Sequence, residues 1–158
     1  MIRRATADDW AQIWPIFREI VDAGETYAYP APDVESSRAL WLEEPPAAVF
    51  VAVEGDRVLG TAKAGPNRPG RGAHVATASF MVDPAARGRG VGTALGEQVL
   101  GWARAEGYVA IQFNAVVETN PAVQLWERLG FTVIGTVPEA FDSRQHGLVG
   151  LHVMHRYL

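Results

Sequence analysis

The sequence predicts a single α/β domain, and three observations carry that reading. The chain has 158 residues and no linker, repeat or low-complexity tract to divide it, so residues 1–158 form one domain long enough to bury a full core. Strand-like and helix-like apolar periodicities alternate along it. At its centre, Ser79 to Thr93 reads as a strand end, a basic glycine loop and a helix start. Composition agrees: 48% hydrophobic and 20% charged residues are ordinary for a globular protein.

The elements follow in order. Ile2–Ala5 is a short first strand, and Thr6-Ala7-Asp8-Asp9 starts a helix with acids in its first turn. Trp10, Ile13, Trp14, Phe17, Ile20 and Val21 recur at helical spacing, and Pro15 inside that pattern predicts a kink or division. Gly24 to Pro32 breaks the helix, and the stretch Glu35–Glu44 makes a second one, stopped by Pro45-Pro46. Val49–Val53 and Val58–Ala64 are strands joined by a tight turn at Gly55-Asp56. Pro66–Gly72 reads as a solvated basic loop, and His74–Val82 as the strand that enters the glycine loop.

Beyond the loop, Val91, Leu95, Val99 and Trp102 mark a helix that Gly96 and Gly101 weaken by roughly 1 kcal/mol each relative to alanine. Tyr108–Val116 is a strand. Asn120 caps a helix with Pro121 at its first position, and Gly130 ends it. Phe131–Val137 and Leu148–Met154 are the last strands, connected through Pro138, Asp142, Ser143 and His146.

The central loop has a chemistry of its own. A helix N-terminus leaves backbone N–H groups unpaired and carries partial positive charge. Glycines at 88, 90 and 92 let backbone approach a bulky anion, and Arg87 and Arg89 add positive charge, so the segment suits a pyrophosphate. A nucleotide P-loop would need Gly-Lys-Ser/Thr, which is missing. A dinucleotide turn would need G-x-G-x-x-G and an acid about 20 residues on, but the glycines are spaced G-x-G-x-G and the residues around Gln112 are not acidic.

Arg87-x-x-Gly90-x-Gly92 resembles the R/Q-x-x-G-x-G/A signature of the GCN5-related N-acetyltransferases (GNAT). Val82-Asp83-Pro84 ahead of it, and Asn120-Pro121 with Leu125-Trp126-Glu127-Arg128-Leu129-Gly130-Phe131 after it, extend the resemblance over nearly the whole chain. The resemblance implies a single-domain fold: a mixed, mostly antiparallel sheet of six to seven strands, helices on both faces, and a V-shaped splay between strands 4 and 5. It implies acetyl-CoA as cofactor, its pantetheine arm entering the splay and its pyrophosphate meeting the main chain of Arg87, Gly88, Arg89, Gly90, Val91, Gly92 and Thr93.

On that reading the activity is direct acetyl transfer to the amine of a small molecule, with a strand N–H at Met81 or Val82 as oxyanion donor. The alternative is a catalytically weak acyl-CoA-binding module on the same fold. Relatives often carry a tyrosine in the second motif that protonates the leaving thiolate; this chain has Trp126, whose indole is no useful acid, so Trp126 is assigned to packing or cofactor contact. Asn120 is explained by capping and also stands where the cofactor arm is expected. Asn114 is harder to explain structurally, because asparagine is depleted in strands. Phe113-Asn114-x₅-Asn120 resembles the acetyltransferases of proline analogues such as azetidine-2-carboxylate, which implies a catalytic or orienting role for Asn114. Glu25, His74 and Glu118 are candidate bases, and Tyr27 and Tyr29 in the loop after the first helix are candidate acceptor contacts, with His74 beside them.

Several classes are set aside. The chain has no cysteine, which excludes disulfides and an acyl-cysteine intermediate. A net charge of −4 and a pI of about 5.5 argue against nucleic-acid or anionic-membrane binding. His152-x-x-His155 lies in a strand, where a separation of three puts the side chains on opposite faces, so no metal site is expected. The N-terminus has no apolar signal core, which makes the cytoplasm the expected location, and a homodimer is compatible with the reading.

Overall fold

The computed structural model describes all residues, Met1–Leu158. Seven strands form one sheet in the order β1-β2-β3-β4-β5-β7-β6. They are β1 (Ile2–Arg4), β2 (Ala48–Glu54), β3 (Arg57–Pro66), β4 (Val75–Val82), β5 (Ala110–Val117), β6 (Thr132–Ser143) and β7 (Gly147–Tyr157). All neighbours are antiparallel except β4 and β5. The helices are α1 (Trp10–Ala23), α2 (Val34–Trp41), α3 (Val91–Ala105) and α4 (Ala122–Arg128). None is long and apolar enough to cross a membrane.

Each face of the sheet carries its own core, as side-chain alternation along strands requires. On one face Leu95, Val99 and Trp102 of α3 and Trp126 of α4 pack over Ala62, Ala76, Ile111 and Phe113. On the other, Ile13, Phe17 and Ile20 of α1 and Trp41 of α2 pack over Val49, Val51, Val58 and Met81. Trp41 Nε1 donates to Thr61 Oγ1 at 3.0 Å, and Thr61 Oγ1 donates in turn to the Phe50 carbonyl at 2.8 Å, so this buried polar pair is satisfied.

Two glycines that weaken α3 in isolation have different standing in the fold. A Cβ on Gly96 would meet Leu129 Cδ1 at 2.5 Å, so glycine there permits the close approach of α3 and α4; a Cβ on Gly101 meets nothing within 4 Å.

The decisive feature is where β4 and β5 part. Their parallel pairing is confined to Val75↔Ala110 and Ala76↔Ile111. From Thr77 onward β4 has no β5 partner. On β5 the pairing with β7 is interrupted between Phe113 and Val116, so Asn114 and Ala115 form a bulge. Bulges re-aim side chains and are frequent beside active sites.

Three expectations are corrected. Pro15 does not divide α1, which is continuous from Trp10 to Ala23. Its ring is on the exposed side, where water can serve the carbonyl it leaves free, while Ile13, Ile16 and Phe17 hold the helix to the sheet. The connection between the last two strands is a hairpin with a short turn, because β6 runs on through Pro138 to Ser143. Pro138 sits on an edge strand within a register irregularity between Val137 and Phe141, a place where a missing N–H costs no ladder bond. Helix α2 stops at Trp41, short of Glu44, and is capped by Asp33, which accepts from Ser36 N at 3.0 Å.

Candidate active site

The parting of β4 and β5 opens a wedge-shaped cavity of about 340 Å³. One wall is Thr77–Phe80 of β4, the other Phe113–Val117 of β5; Thr26–Tyr29, Asn120 and Trp126 close it. A second, more open cavity of about 780 Å³ lies over the α2 face of β3 and β4. The two share Tyr29, Thr77, Ala78, Ser79 and Asn114, so they meet at the mouth of the wedge.

Backbone polarity explains what the wedge offers. Asp83 N donates to the Leu59 carbonyl at 2.8 Å, so on β4 the odd-numbered residues hydrogen-bond to β3. Phe80 and Val82 therefore aim their N–H groups toward the parted side. Met81 does not: its N–H belongs to the β3 ladder and its side chain is fully buried under α1, so it is corrected from the cofactor-contact set.

Tyr27 finds the free edge. Its hydroxyl accepts from Phe80 N at 2.8 Å and donates to Phe80 O at 2.6 Å, capping both main-chain groups inside the wedge. Burial raises the Tyr27 pKa well above the ordinary tyrosine value, so this phenol stays neutral. Tyr27 stacks on Tyr29 at 5.2 Å between ring centres, and Tyr29 on Phe17 at 5.6 Å. The tyrosine loop is thus anchored in the α1 core.

Asn114 stands in a chain of amides. Gln112 Nε2 donates to Asn114 Oδ1 at 2.9 Å, and Asn114 Nδ2 donates to Asn67 Oδ1 at 2.6 Å. One Asn114 N–H is left for a ligand at the junction of the cavities. Asn120 has no such reserve. Its Oδ1 accepts from Ala122 N at 2.9 Å as the cap of α4, and its Nδ2 donates to Glu25 O and Thr26 Oγ1, both at 3.1 Å. It staples the tyrosine loop to α4, and its side chain is not free for a cofactor arm.

Trp126 is buried in an aromatic cluster, 4.5 Å from the Phe80 ring centre and 5.0 Å from that of Phe113, with one edge on the wedge. It packs the core and also presents a surface to the wedge.

The three proposed bases lie elsewhere. Glu25 accepts from Ser143 Oγ at 2.6 Å and from Gln145 N at 2.8 Å, latching the loop after α1 to the β6–β7 turn. The Ser143 hydrogen bond lowers its pKa; desolvation opposes this as the next largest effect, and Gln145 N and the charges of His146 and Arg144 add to the lowering. A carboxylate so occupied is a poor proton acceptor. Glu118 is exposed past the end of β5, its carboxylate beside Gly150, outside both cavities. His74 is exposed where β4 and β5 are still joined, its carbonyl accepting from Val109 N at 3.0 Å. No carboxylate or imidazole lines the wedge.

The glycine loop is at the far end of β4. Gly88 and Gly90 both have φ of 76°, a left-handed conformation that glycine adopts without Cβ strain, and a Cβ on either would meet nothing within 4 Å. Their outer side is open to a ligand. Gly90 caps α3, so the N–H groups of Val91, Gly92 and Thr93 have no helical partner. Gly92 also makes room for α4: a Cβ there would meet Leu125 Cδ2 at 3.1 Å. Arg87 is exposed, whereas Arg89 is paired with Glu54 at the end of β2, which offsets part of the positive charge expected of the loop.

Sequence reasoning missed Asn67, Ser79, Thr77 and Lys63. Asn67 lies at the start of a segment that reads as solvated loop. Lys63 had a signal: it is the single charged residue inside the apolar run from Val58 to Ala64.

Comparison with known proteins agrees with this geometry. Residues 10–131 match the family model described as the acetyltransferase (GNAT) family. The N-acetyltransferase aca1 of Schizosaccharomyces pombe is 32% identical over 123 residues, covering 77% of this chain and 53% of that protein. The chain thus spans about half the length of that curated relative. The structure of a GCN5-related N-acetyltransferase from Kribbella flavida is 60% identical, covers 100% of this chain and 97% of its own, and superposes with a TM-score of 0.97. A phosphinothricin acetyltransferase from Sinorhizobium meliloti, solved with AcCoA, is 26% identical with a TM-score of 0.86, covering 100% and 88%.

Proposed function

Because the chain belongs to the GNAT acetyltransferase family, we propose that it transfers the acetyl group of acetyl-CoA directly to the amine of a small molecule. The narrower forms of the proposal are an amino acid and a proline analogue such as azetidine-2-carboxylate as acceptor. The carrying observation is the wedge between β4 and β5, whose main-chain edge opens onto a second cavity at Asn114.

The residues present fit the cofactor family. Gly88 and Gly90 leave bare backbone facing open space, and the unpaired N–H groups of Val91, Gly92 and Thr93 suit a pyrophosphate. When bound, acetyl-CoA supplies an acyl thioester whose leaving thiolate, near the ordinary thiol pKa of ~8.5, needs little protonation. The chain's own part is electrostatic and positional. In place of Met81, the N–H groups on the parted side of β4 serve a developing oxyanion: that of Val82, and that of Phe80 once the ligand displaces the Tyr27 hydroxyl from it. Asn114, held by Gln112 and Asn67, orients the acceptor at the mouth. With no base on the wedge walls, the amine gives its proton to water in the second cavity, whose rim carries Glu43 and Glu44. The proposal includes action in the cytoplasm, as a monomer or homodimer.

The absence of any carboxylate or imidazole from the wedge favours a second reading, a catalytically weak acyl-CoA-binding module. Thiol release from acetyl-CoA across a panel of small amines, with calorimetric titration of acetyl-CoA on the same protein, separates the two. Amine-dependent release supports the enzyme; tight binding without release supports the module.

A further inference from the structure

Lys63 is the one cationic side chain lining either cavity, and nothing in the acetyl-transfer chemistry above uses it. Its side chain is only 14% exposed. It sits on β3 directly across from Ser79, on the α2 face that carries Asn114's end of the second cavity. Its Nζ donates to the Leu40 carbonyl at 2.8 Å, lies 3.6 Å from Glu43 Oε2 and 5.6 Å from the Trp41 ring centre. The Leu40 bond ties it to the last turn of α2, and Glu43, about half exposed, is its sole nearby counter-charge.

We infer that Lys63 holds a carboxylate of the acceptor, so that the acceptors are amines bearing a carboxylate close to the nitrogen rather than plain amines. This rests on the acetyltransferase reading. The geometry argues it in three steps. An amine attacking in the wedge must stand at the mouth, where Ser79 and Asn114 border both cavities. Lys63 is one strand over from that point, a lateral step of about 5 Å. An α-amino acid, with its nitrogen and carboxylate on one carbon, spans such a step and brings a single negative charge to a single ammonium. Glu43 reaches Lys63 only at 3.6 Å, so a well-placed carboxylate improves on it. Burial lowers the Lys63 pKa and Glu43 opposes that shift, so a second anion at the site would favour the charged lysine further.

The test uses matched triplets: alanine, proline and methionine, each as amino acid, as carboxamide and as the corresponding amine without the carboxyl group. Thiol release from acetyl-CoA is followed for the wild type, Lys63→Gln and Lys63→Arg, with thermal melting of each. The wild type should prefer the carboxylates by about 10-fold or more in kcat/KM, the scale of one charge-assisted contact. Lys63→Gln should erase that preference, mainly through KM, and leave the amides unchanged; Lys63→Arg should retain part of it. Equal use of acids, amides and amines by the wild type overturns the inference, as does a Lys63→Gln loss that is the same for all three. If Lys63→Gln does not fold because α2 loses its tether, Lys63→Arg decides: a reduced carboxylate preference with unchanged use of the amides supports the contact, and an unchanged preference overturns it. Carboxylate-blind turnover refutes Lys63 only, whereas no thiol release with any amine refutes the acetyltransferase reading itself.

Discussion

Removing one oxygen, in Tyr27→Phe, exposes the logic of the wedge. The Tyr27 hydroxyl caps both the N–H and the C=O of Phe80 at 2.8 and 2.6 Å, on a strand edge with no other partner. Leaving a buried main-chain group unpaired costs about 1–3 kcal/mol. The cavity beside them, about 340 Å³, is roomy enough for water to recover part of that. Taking the low end for each group gives a loss of about 2 kcal/mol. For a chain of this size that lowers the Tm by about 4–8 °C. The same two groups are what a ligand in the wedge must pair with, and in the wild type the ligand has to displace the hydroxyl. Acetyl-CoA should therefore raise the Tm of Tyr27→Phe more than that of the wild type, and calorimetry should give equal or tighter binding. The assay is differential scanning fluorimetry on both proteins with and without saturating acetyl-CoA. An unchanged Tm for the free variant would refute the cap. A lower Tm with an identical ligand-induced shift would refute competition for the Phe80 edge.

Three other outcomes follow from the same geometry. Asn114→Ala should lower kcat/KM for the acceptor by about 10²-fold, the scale of one lost transition-state donor, with acetyl-CoA affinity and melting little changed because Asn114 is exposed; wild-type turnover would end its assignment. Gly90→Val forces a β-branched residue to a φ of 76° at the start of α3 and should abolish acetyl-CoA binding in a protein that still shows native circular dichroism. The Arg3 hydrogen bond holds the Asp9 pKa down to about 2, so the stability it contributes is complete above the ordinary carboxylate pKa of about 4 and lost as pH falls toward 2. Asp9→Asn should then flatten the fall of Tm with acidification in that window, and a parallel fall in both proteins would exclude the pair as its cause.

Much of this site was legible in one dimension because its determinants are local. Glycines at 88 and 90 are needed where the backbone turns left-handed, and that demand acts on single residues. Asn120 caps α4 through a neighbour two residues away. The strands around Gly55-Asp56 follow from short apolar runs, since both their faces are buried, and the helix from Val91 follows from periodicity, since it buries one face. The asparagine out of place in a strand did mark a bulge at the mouth of the wedge.

What only the tertiary structure decided is which groups, far apart in sequence, spend their hydrogen bonds on one another. Glu25 looked like a base until Ser143, 118 residues on, took one of its oxygens. Tyr27 looked like an acceptor contact until it closed on Phe80, 53 residues away, and Met81 like an oxyanion donor until the register with β3 claimed its N–H. Pro15 and Pro138 read as breaks, yet an exposed helix face and an edge strand tolerate a missing N–H. Sequence specifies where a donor or acceptor stands along the chain. Whether it is free for chemistry depends on the partner that folding brings within about 3 Å of it, and no local pattern encodes that partner.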